Sequence, residues 1–508
     1  MRSRMSASHQ TSVPDLRGRV LRGLVWVGAS QVGLQLTRAA VAIAVARMLT
    51  PKEYGLAALA LVFSSLVLIF SDLALGAALL QRKTLSELDR STAFWVTAGS
   101  GVVFTALGVA LSGPVAALYG EPSAQPLMAV LSATFIVSAL GATQQMLMLR
   151  DMDFKRVEFL PMFGAVAGGV GGVVLAARGA GAWAIILQQV IAVVATTGLV
   201  WWRSSWHPSF TFSLASLRDL AGFSAYMVGH RLLYYLQVNG DRFLIGRFLG
   251  TAALGAYAVA YNTMLVPASK IGGPLQRVMS PAFCRLQDEP ERIAAAWARV
   301  TRLLACVSVP ALAGLVVVAP DFVPVVLGGQ WKAAVPVVQT LAWVGIVQAL
   351  QSLNVDILMA RDRTRTIFRF SLVLCAAHLL AFSVGLQWGV VGVAVAYAIS
   401  TTLVEPVQTV LAARALGVSP MVFVRSVATV FQAALGMCAV VWFLRVALID
   451  AGMGPASRLA ACVVAGGVVY ALLCAWRVPE VAGELRSVLA RNRGTSRPLA
   501  VSAAPAES

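Results

Sequence analysis

Arg47-Met-Leu-Thr-Pro-Lys-Glu-Tyr-Gly-Leu-Ala-Ala-Leu-Ala60 and Arg247-Phe-Leu-Gly-Thr-Ala-Ala-Leu-Gly-Ala-Tyr-Ala-Val-Ala260 are two versions of one stretch. At an offset of 200, Arg47/Arg247, Leu49/Leu249, Gly55/Gly255, Ala58/Ala258 and Ala60/Ala260 coincide. Further on, Arg150-Asp151 matches Arg361-Asp362 and Gly181 matches Gly392, both at an offset of 211. The change of offset implies an insertion, most easily placed between 276 and 299. Apolar sequence matches itself by chance, but a shared charge in the spacing R-x-L-x(5)-G-x-x-A-x-A is poorly explained that way. The chain is therefore read as two copies of one unit.

The unit is membrane-spanning. Of 508 residues, 58% are apolar and 12% are charged, against about 25% charged in soluble domains. Fourteen apolar runs of bilayer-crossing length are expected, at about 21–46, 55–80, 92–118, 125–149, 159–177, 181–202, 220–246, 252–275, 300–319, 334–360, 366–386, 389–413, 421–446 and 457–476. Each copy then holds six spans. An even number gives both copies the same orientation, an architecture of transporters in which one half rocks against the other. The expected fold is all-α and polytopic, with two parallel six-helix repeats and two further C-terminal helices. The divisions are 1–20, an N-terminal tail; 21–202, the first six-helix lobe; 203–219, a linker; 220–413, the second lobe; 414–476, the two extra helices; and 477–508, a tail whose end reads as disordered. The charged break at 276–299 reads as a short surface helix or loop. The glycines of Gly164-Ala-Val-Ala-Gly-Gly-Val-Gly-Gly172 read as helix-packing positions, because small residues let membrane helices approach.

A net charge of +18 raises nucleic acid as a partner until the charges are placed. With the N-terminus inside, 29 Lys and Arg fall on inward segments, 7 on outward ones and four within spans. Basic residues concentrate on the cytoplasmic side of membrane proteins, so the bias puts both termini in the cytoplasm. Nucleic acid is then not needed. The arginines before the first run resemble a secretory signal, but Gln31, Gln35 and Arg38 interrupt the run and it is long for a signal core, so it reads as a retained span. The six cysteines form no C-x-x-C and lie near no histidine cluster, so neither a disulfide framework nor a metal site is expected. No cofactor is expected.

Asp241-Arg-Phe-Leu-Ile-Gly-Arg-Phe-Leu-Gly250, Leu254-Gly-Ala-Tyr-Ala-Val-Ala-Tyr261, Ser280-Pro-Ala-Phe-Cys-Arg-Leu-Gln287, Leu327-Gly-Gly-Gln-Trp331 and Trp206-His-Pro-Ser-Phe-Thr-Phe212 carry a resemblance. With them the chain resembles the Wzx-type polysaccharide exporters (O-unit, colanic acid, teichuronic acid) of the multidrug/oligosaccharidyl-lipid/polysaccharide flippase superfamily, over about residues 20–440. The resemblance implies two six-helix lobes around a central cavity in the bacterial inner membrane. It also implies translocation of an undecaprenyl-pyrophosphate-linked oligosaccharide, driven by an ion gradient rather than ATP. A polysaccharide polymerase or export machinery is the protein partner it suggests. Consistent with it, the sequence has no G-x(4)-G-K-[ST].

Such a substrate needs a cation for its diphosphate and amides or hydroxyls for its sugars. Gln31, Gln35 and Arg38 fall on one helical face and offer both. Arg231, Tyr235 and Arg242 form a second stripe, and Lys270 is a further cation. Arginine suits phosphate because its planar fork donates two hydrogen bonds at once. Asp72, Asp241, Asp356 and Glu405 are the candidates for ion coupling or gating. Ionisable groups within a membrane are costly, and are functional or paired. Glu405 shares a face with Tyr397, Thr401 and Gln408. Arg242 can equally pair with Asp241, and Asp72 and Asp356 can serve as helix-end caps or gate salt bridges. His207 and His378 read as packing residues. The rival function is a small-molecule cation antiporter of the same superfamily, which would favour an acidic, aromatic cavity. An enzyme, such as a membrane polymerase or acyltransferase, is disfavoured because every expected outward loop is short.

Overall fold

The computed structural model describes residues 33–35, 37–71, 85–151, 153–214 and 225–477. Among them there is no strand, and nine helical stretches are long and apolar enough to cross a bilayer. The helices, in chain order, are α1 (37–48), α2 (Pro51–Ser71), α3 (Glu87–Tyr119), α4 (Ala124–Arg150), α5 (Phe154–Ala177), α6 (Ala182–Arg203), α7 (Ala225–Phe248) and α8 (Thr251–Arg285). After these come α9 (Pro290–Phe322), α10 (Val335–Gln351), α11 (Asn354–Ala360), α12 (Thr364–Gly385), α13 (Gly389–Leu416), α14 (Met421–Asp450) and α15 (Pro455–Arg477). Asp72 and Gln31 lie outside the described residues.

Local sequence sets several of the helix starts. At α2, the Thr50 hydroxyl and backbone N–H both donate to Glu53 Oε2 at 2.8 Å, and Glu53 N–H donates back to Thr50 Oγ1 at 3.3 Å. Pro51 fills the first helical position, where the missing N–H costs nothing. Ser86 and Asp89 make the same reciprocal pair at the start of α3. Of the two readings of the charged stretch 276–299, the helical one holds, not as a separate short helix but because α8 continues to Arg285 and α9 begins at Pro290. The reason is amphipathicity. Ile293, Ala294, Trp297 and Val300 are buried while Glu291, Arg292 and Arg299 are exposed, and the Trp297 ring lies 5.5 Å from that of Phe423.

The chain divides into two compact units. The first comprises residues up to 263 together with 326–337 and 368–400. Within it, α5 and α6 lie unusually close. A Cβ added at Gly164 would stand 2.6 Å from Ala192 O, and one at Gly168 would stand 2.4 Å from Gln188 O. These glycines are where the two backbones meet, as expected of a small-residue stripe. α2 and α8 approach even more closely. A Cβ at Gly55 would stand 1.7 Å from Thr251 O, and one at Gly255 would stand 1.9 Å from Pro51 O. The C-terminal end of α1 is held by residues far along the chain. Trp331 Nε1 donates to Ala46 O at 2.8 Å, Gln330 Nε2 to Ala46 O and Arg47 O at 3.1 Å each, and Arg47 Nε to Val326 O at 2.8 Å. Trp331 is fully buried and meets Tyr54 edge-on at 5.5 Å.

The second unit comprises 264–325, 338–367 and the residues from 401 onward. Here α9 packs on α14 and α15. Asp321, 3% exposed at its side chain, accepts from Arg445 Nε at 2.5 Å and from Arg458, which reaches it through both Nε and Nη2. The three residues tie α9 to both C-terminal helices.

Candidate functional site

Within the first unit, α1, α4, α5, α6 and α8 enclose an open cavity of about 820 Å3. That lies inside the roughly 300–1,000 Å3 range of ligand sites. Helical spacing explains how each wall reaches it. Ser138, Ala142 and Gln145 present one face of α4; Pro161 and Ala165 one face of α5; and Gln188, Ala192, Thr196 with Gln189, Val193, Thr197 two adjacent rows of α6. Arg38 and Val41 come from α1, and Asn262 from α8. Asn262 Nδ2 also donates to Tyr54 Oη at 3.3 Å. The close α5–α6 contact at Gly164 and Gly168 forms one flank, since larger residues there would wedge the two walls apart. Chemically, the described lining offers one guanidinium, several amides and hydroxyls, and apolar side chains between them. Among the described residues it offers no carboxylate. Such a surface can donate two hydrogen bonds to an anion and satisfy several sugar hydroxyls.

Of the described residues expected from sequence, Arg38 is the one in this lining. Gln35, on the same helical stretch, is half-buried with its Oε1 unpartnered, and is not part of the lining. Arg231 lies in α7 and Lys270 in α8, but their side chains fall outside the described residues. Tyr235 donates its hydroxyl to Val62 O at 3.0 Å, which joins α7 to α2. Asp241 is buried and doubly held, accepting from Tyr257 Oη at 2.7 Å and from the Arg242 N–H at 2.7 Å. Arg242 stacks its guanidinium over the Tyr261 ring at 4.3 Å and approaches Asn239 Oδ1 at 3.4 Å. Asp241, Arg242, Tyr257 and Tyr261 thus form one internal cluster. Its cation is met chiefly by an aromatic face.

The second unit holds the remaining acids. Asp356 is buried and accepts from Gln276 Nε2 at 3.0 Å. Glu405 is buried in α13 beside Pro406, one turn from Thr401 and one turn from Thr409. Thr409 donates to Gln351 Oε1 at 2.7 Å and accepts from Asn354 Nδ2 at 3.1 Å. Asn354 also donates to Gln351. Sequence reasoning missed this Gln351–Asn354–Thr409 network, and it missed the amides of Gln145, Gln188 and Gln189. The available signal was the density of Gln on the apolar helices α4 and α6. In the first unit, His378 is buried against Phe382 and Tyr397, which is a packing position, and neither of its ring nitrogens has a partner.

Residues 44–336 match the family model described as "Polysaccharide biosynthesis protein". The chain is 29% identical over 403 residues to "Lipopolysaccharide biosynthesis protein WzxC" of Escherichia coli (strain K12), covering 78% of this chain and 80% of that protein. It is 28% identical over 478 residues to "Teichuronic acid biosynthesis protein TuaB" of Bacillus subtilis (strain 168), covering 93% and 99%. Among solved structures it is similar to "Lipid II flippase MurJ, inward closed conformation", with a TM-score of 0.70, 11% identity and coverage of 90% of this chain and 100% of that one. An inward-facing multidrug resistance MATE family transporter of the MOP superfamily follows, with a TM-score of 0.51, 14% identity and coverage of 77% and 98%. These likenesses show a shared fold, and the chain is a multi-pass integral membrane protein.

Proposed function

Because the chain belongs to the polysaccharide biosynthesis protein family, we propose that it is a flippase carrying an undecaprenyl-pyrophosphate-linked oligosaccharide across the bacterial inner membrane for surface polysaccharide synthesis. The observation that carries this reading is the composition of the α1–α4–α5–α6–α8 cavity. Among the described residues, one guanidinium for the diphosphate sits among amides and hydroxyls suited to sugars. The relatives' printed names, in lipopolysaccharide and teichuronic acid biosynthesis, support it. A drug-cation antiporter would call for carboxylates, and among the described residues this lining has none.

In this reading the chain has fourteen spans, in two parallel six-helix copies plus α14 and α15, with both termini cytoplasmic. The close contact of Gly55 with Gly255 supports the repeat. Each glycine faces the residue that begins the other's helix, as a two-fold axis between them would produce. The cycle is alternating access. Glu405 is the residue proposed to couple it to an ion gradient, since a buried carboxylate next to a kinking proline can exchange its charge as occupancy changes. A polysaccharide polymerase is the expected downstream partner, and the protein itself catalyses no bond making.

The test is translocation of a fluorescent undecaprenyl-pyrophosphate oligosaccharide in proteoliposomes. Arg38→Ala should reduce the rate by at least about tenfold, the loss expected for a charge-assisted bond, while insertion stays normal. An unchanged rate removes Arg38 and its cavity from the mechanism.

A further inference from the structure

A second, smaller cavity lies at one end of α3, α4, α5 and α6, shares no lining residue with the first, and is not used by the flippase reading. It has a volume of about 120 Å3 and is formed where α3 starts, α4 ends, α5 starts and α6 ends, with the turn after α6 closing it. Successive helices alternate in direction, so these four ends share one membrane face. Four guanidiniums line it, Arg90, Arg150, Arg156 and Arg203, against two carboxylates, Asp151 and Asp153. Asp153 is already engaged by Arg156 at 3.2 Å.

Two side chains in this lining are left incomplete. Gln144 is fully buried, and neither its Oε1 nor its Nε2 has a partner; Arg90 Nε is buried and likewise unmatched. A buried amide with both ends unmatched costs free energy unless something completes it. The volume equals that of about four liquid waters, enough for a phosphate and a short polar substituent.

The surroundings say where that group comes from. The segment after α6 is docked along α3. Trp95 Nε1 donates to Ser209 O at 2.8 Å, Ser213 N–H to Thr92 Oγ1 at 3.0 Å, and Trp206 Nε1 to Glu87 Oε1 at 2.8 Å. Beside the arginines stand two exposed aromatic side chains, Phe210 of this segment at 94% and Trp202 at the end of α6 at 73%. Arg203 lies 4.7 Å above the Trp202 ring. Exposed aromatics adjoining a basic pocket at the ends of apolar helices are the chemistry of the lipid headgroup layer.

We propose that this pocket binds the headgroup of an anionic, hydroxyl-bearing membrane phospholipid. The arginines and Gln144 Nε2 hold the phosphate, and a headgroup hydroxyl donates to Gln144 Oε1. The site is separate from the cavity assigned to the transported substrate.

The experiment uses the full-length protein in detergent, with native mass spectrometry reading retained lipid. Phosphatidylglycerol should be retained in preference to phosphatidylethanolamine. Its apparent affinity should fall at least about tenfold in the double variant R90Q/R203Q and in Gln144→Leu. Arg178→Gln, at the opposite ends of α5 and α6, should leave it unchanged. Gln144→Leu removes the unmatched amide without adding bulk, so its thermal stability without lipid should hold or rise while lipid retention falls. That split distinguishes a binding role from a folding defect. Equal retention in Gln144→Leu and wild type overturns the site. Displacement of the phospholipid by inorganic pyrophosphate, or by undecaprenyl pyrophosphate at lower concentration, overturns the assignment to a bulk membrane lipid.

Discussion

The α2–α8 crossing gives the sharpest test of the fold. Substituting Gly55 by alanine places a methyl carbon 1.7 Å from Thr251 O, and the same change at Gly255 places one 1.9 Å from Pro51 O. A carbon atom rests about 3.3 Å or more from a carbonyl oxygen, so each helix must retreat by about 1.5 Å. Forced repacking of this kind costs about 1–3 kcal/mol. The two clashes arise at one crossing, and once the helices have parted for the first methyl there is room for the second. Gly55→Ala and Gly255→Ala should therefore lower thermal stability by similar amounts. The double variant should lose less than the two single losses together, with a coupling of at least about 0.5 kcal/mol. The assay is the fraction of detergent-solubilised full-length protein that stays monodisperse after graded heating, compared across wild type, both singles and the double. Strict additivity would falsify the shared crossing, and so would a harmless single substitution at either glycine.

Other outcomes follow from individual contacts. Trp331→Ala empties a fully buried indole site and strips a hydrogen bond from Ala46 O, a loss of about 3–5 kcal/mol, and should abolish accumulation of folded protein on a blot of membranes. Asp321→Asn leaves Arg445 and Arg458 without a counter-charge and should lower the melting temperature. Adding Arg445→Leu should recover part of the loss, which a double-mutant cycle would show. Glu405→Gln should leave the protein folded but make transport insensitive to a collapsed ion gradient; retained sensitivity in proteoliposomes would remove Glu405 from coupling. Tyr257→Phe removes a donor from buried Asp241 and should destabilise the protein more than Tyr235→Phe, whose lost partner is a single carbonyl on a half-buried contact.

How much of this the sequence disclosed depends on whether a residue's role is set by its neighbours along the chain or across it. The start of α2 was readable, because Thr50, Pro51 and Glu53 act within one turn. So was the packing use of Gly164 and Gly168, since a glycine stripe on an apolar helix has few other uses. The charged stretch at 276–299 was left open between helix and loop because its charges were weighed without their period. Trp297 and Ile293 repeat at helical spacing and bury. Which glutamines matter was hidden for a different reason. Gln144, Gln145 and Gln188 look alike on paper, yet Gln144 closes a small cavity with unmatched amide atoms while the others line a large open one. Asp241 was legible as a costly buried charge, but its partner Tyr257 is reached only when α7 and α8 fold back on each other.

The carboxylate that ties α9 to the C-terminal helices has a consequence in time. Asp321 is made 124 residues before Arg445 and 137 before Arg458. At roughly 5–20 residues per second, the gap to Arg445 takes about 6–25 s of synthesis. During that interval α9 exists without the cations that neutralise its end, so Asp321 stays in contact with water or with the insertion machinery. The two last helices are what lets α9 settle. A chain truncated before Arg445 should therefore carry an α9 whose end remains hydrated, and quality-control proteases that read exposed charge in the bilayer would meet it there.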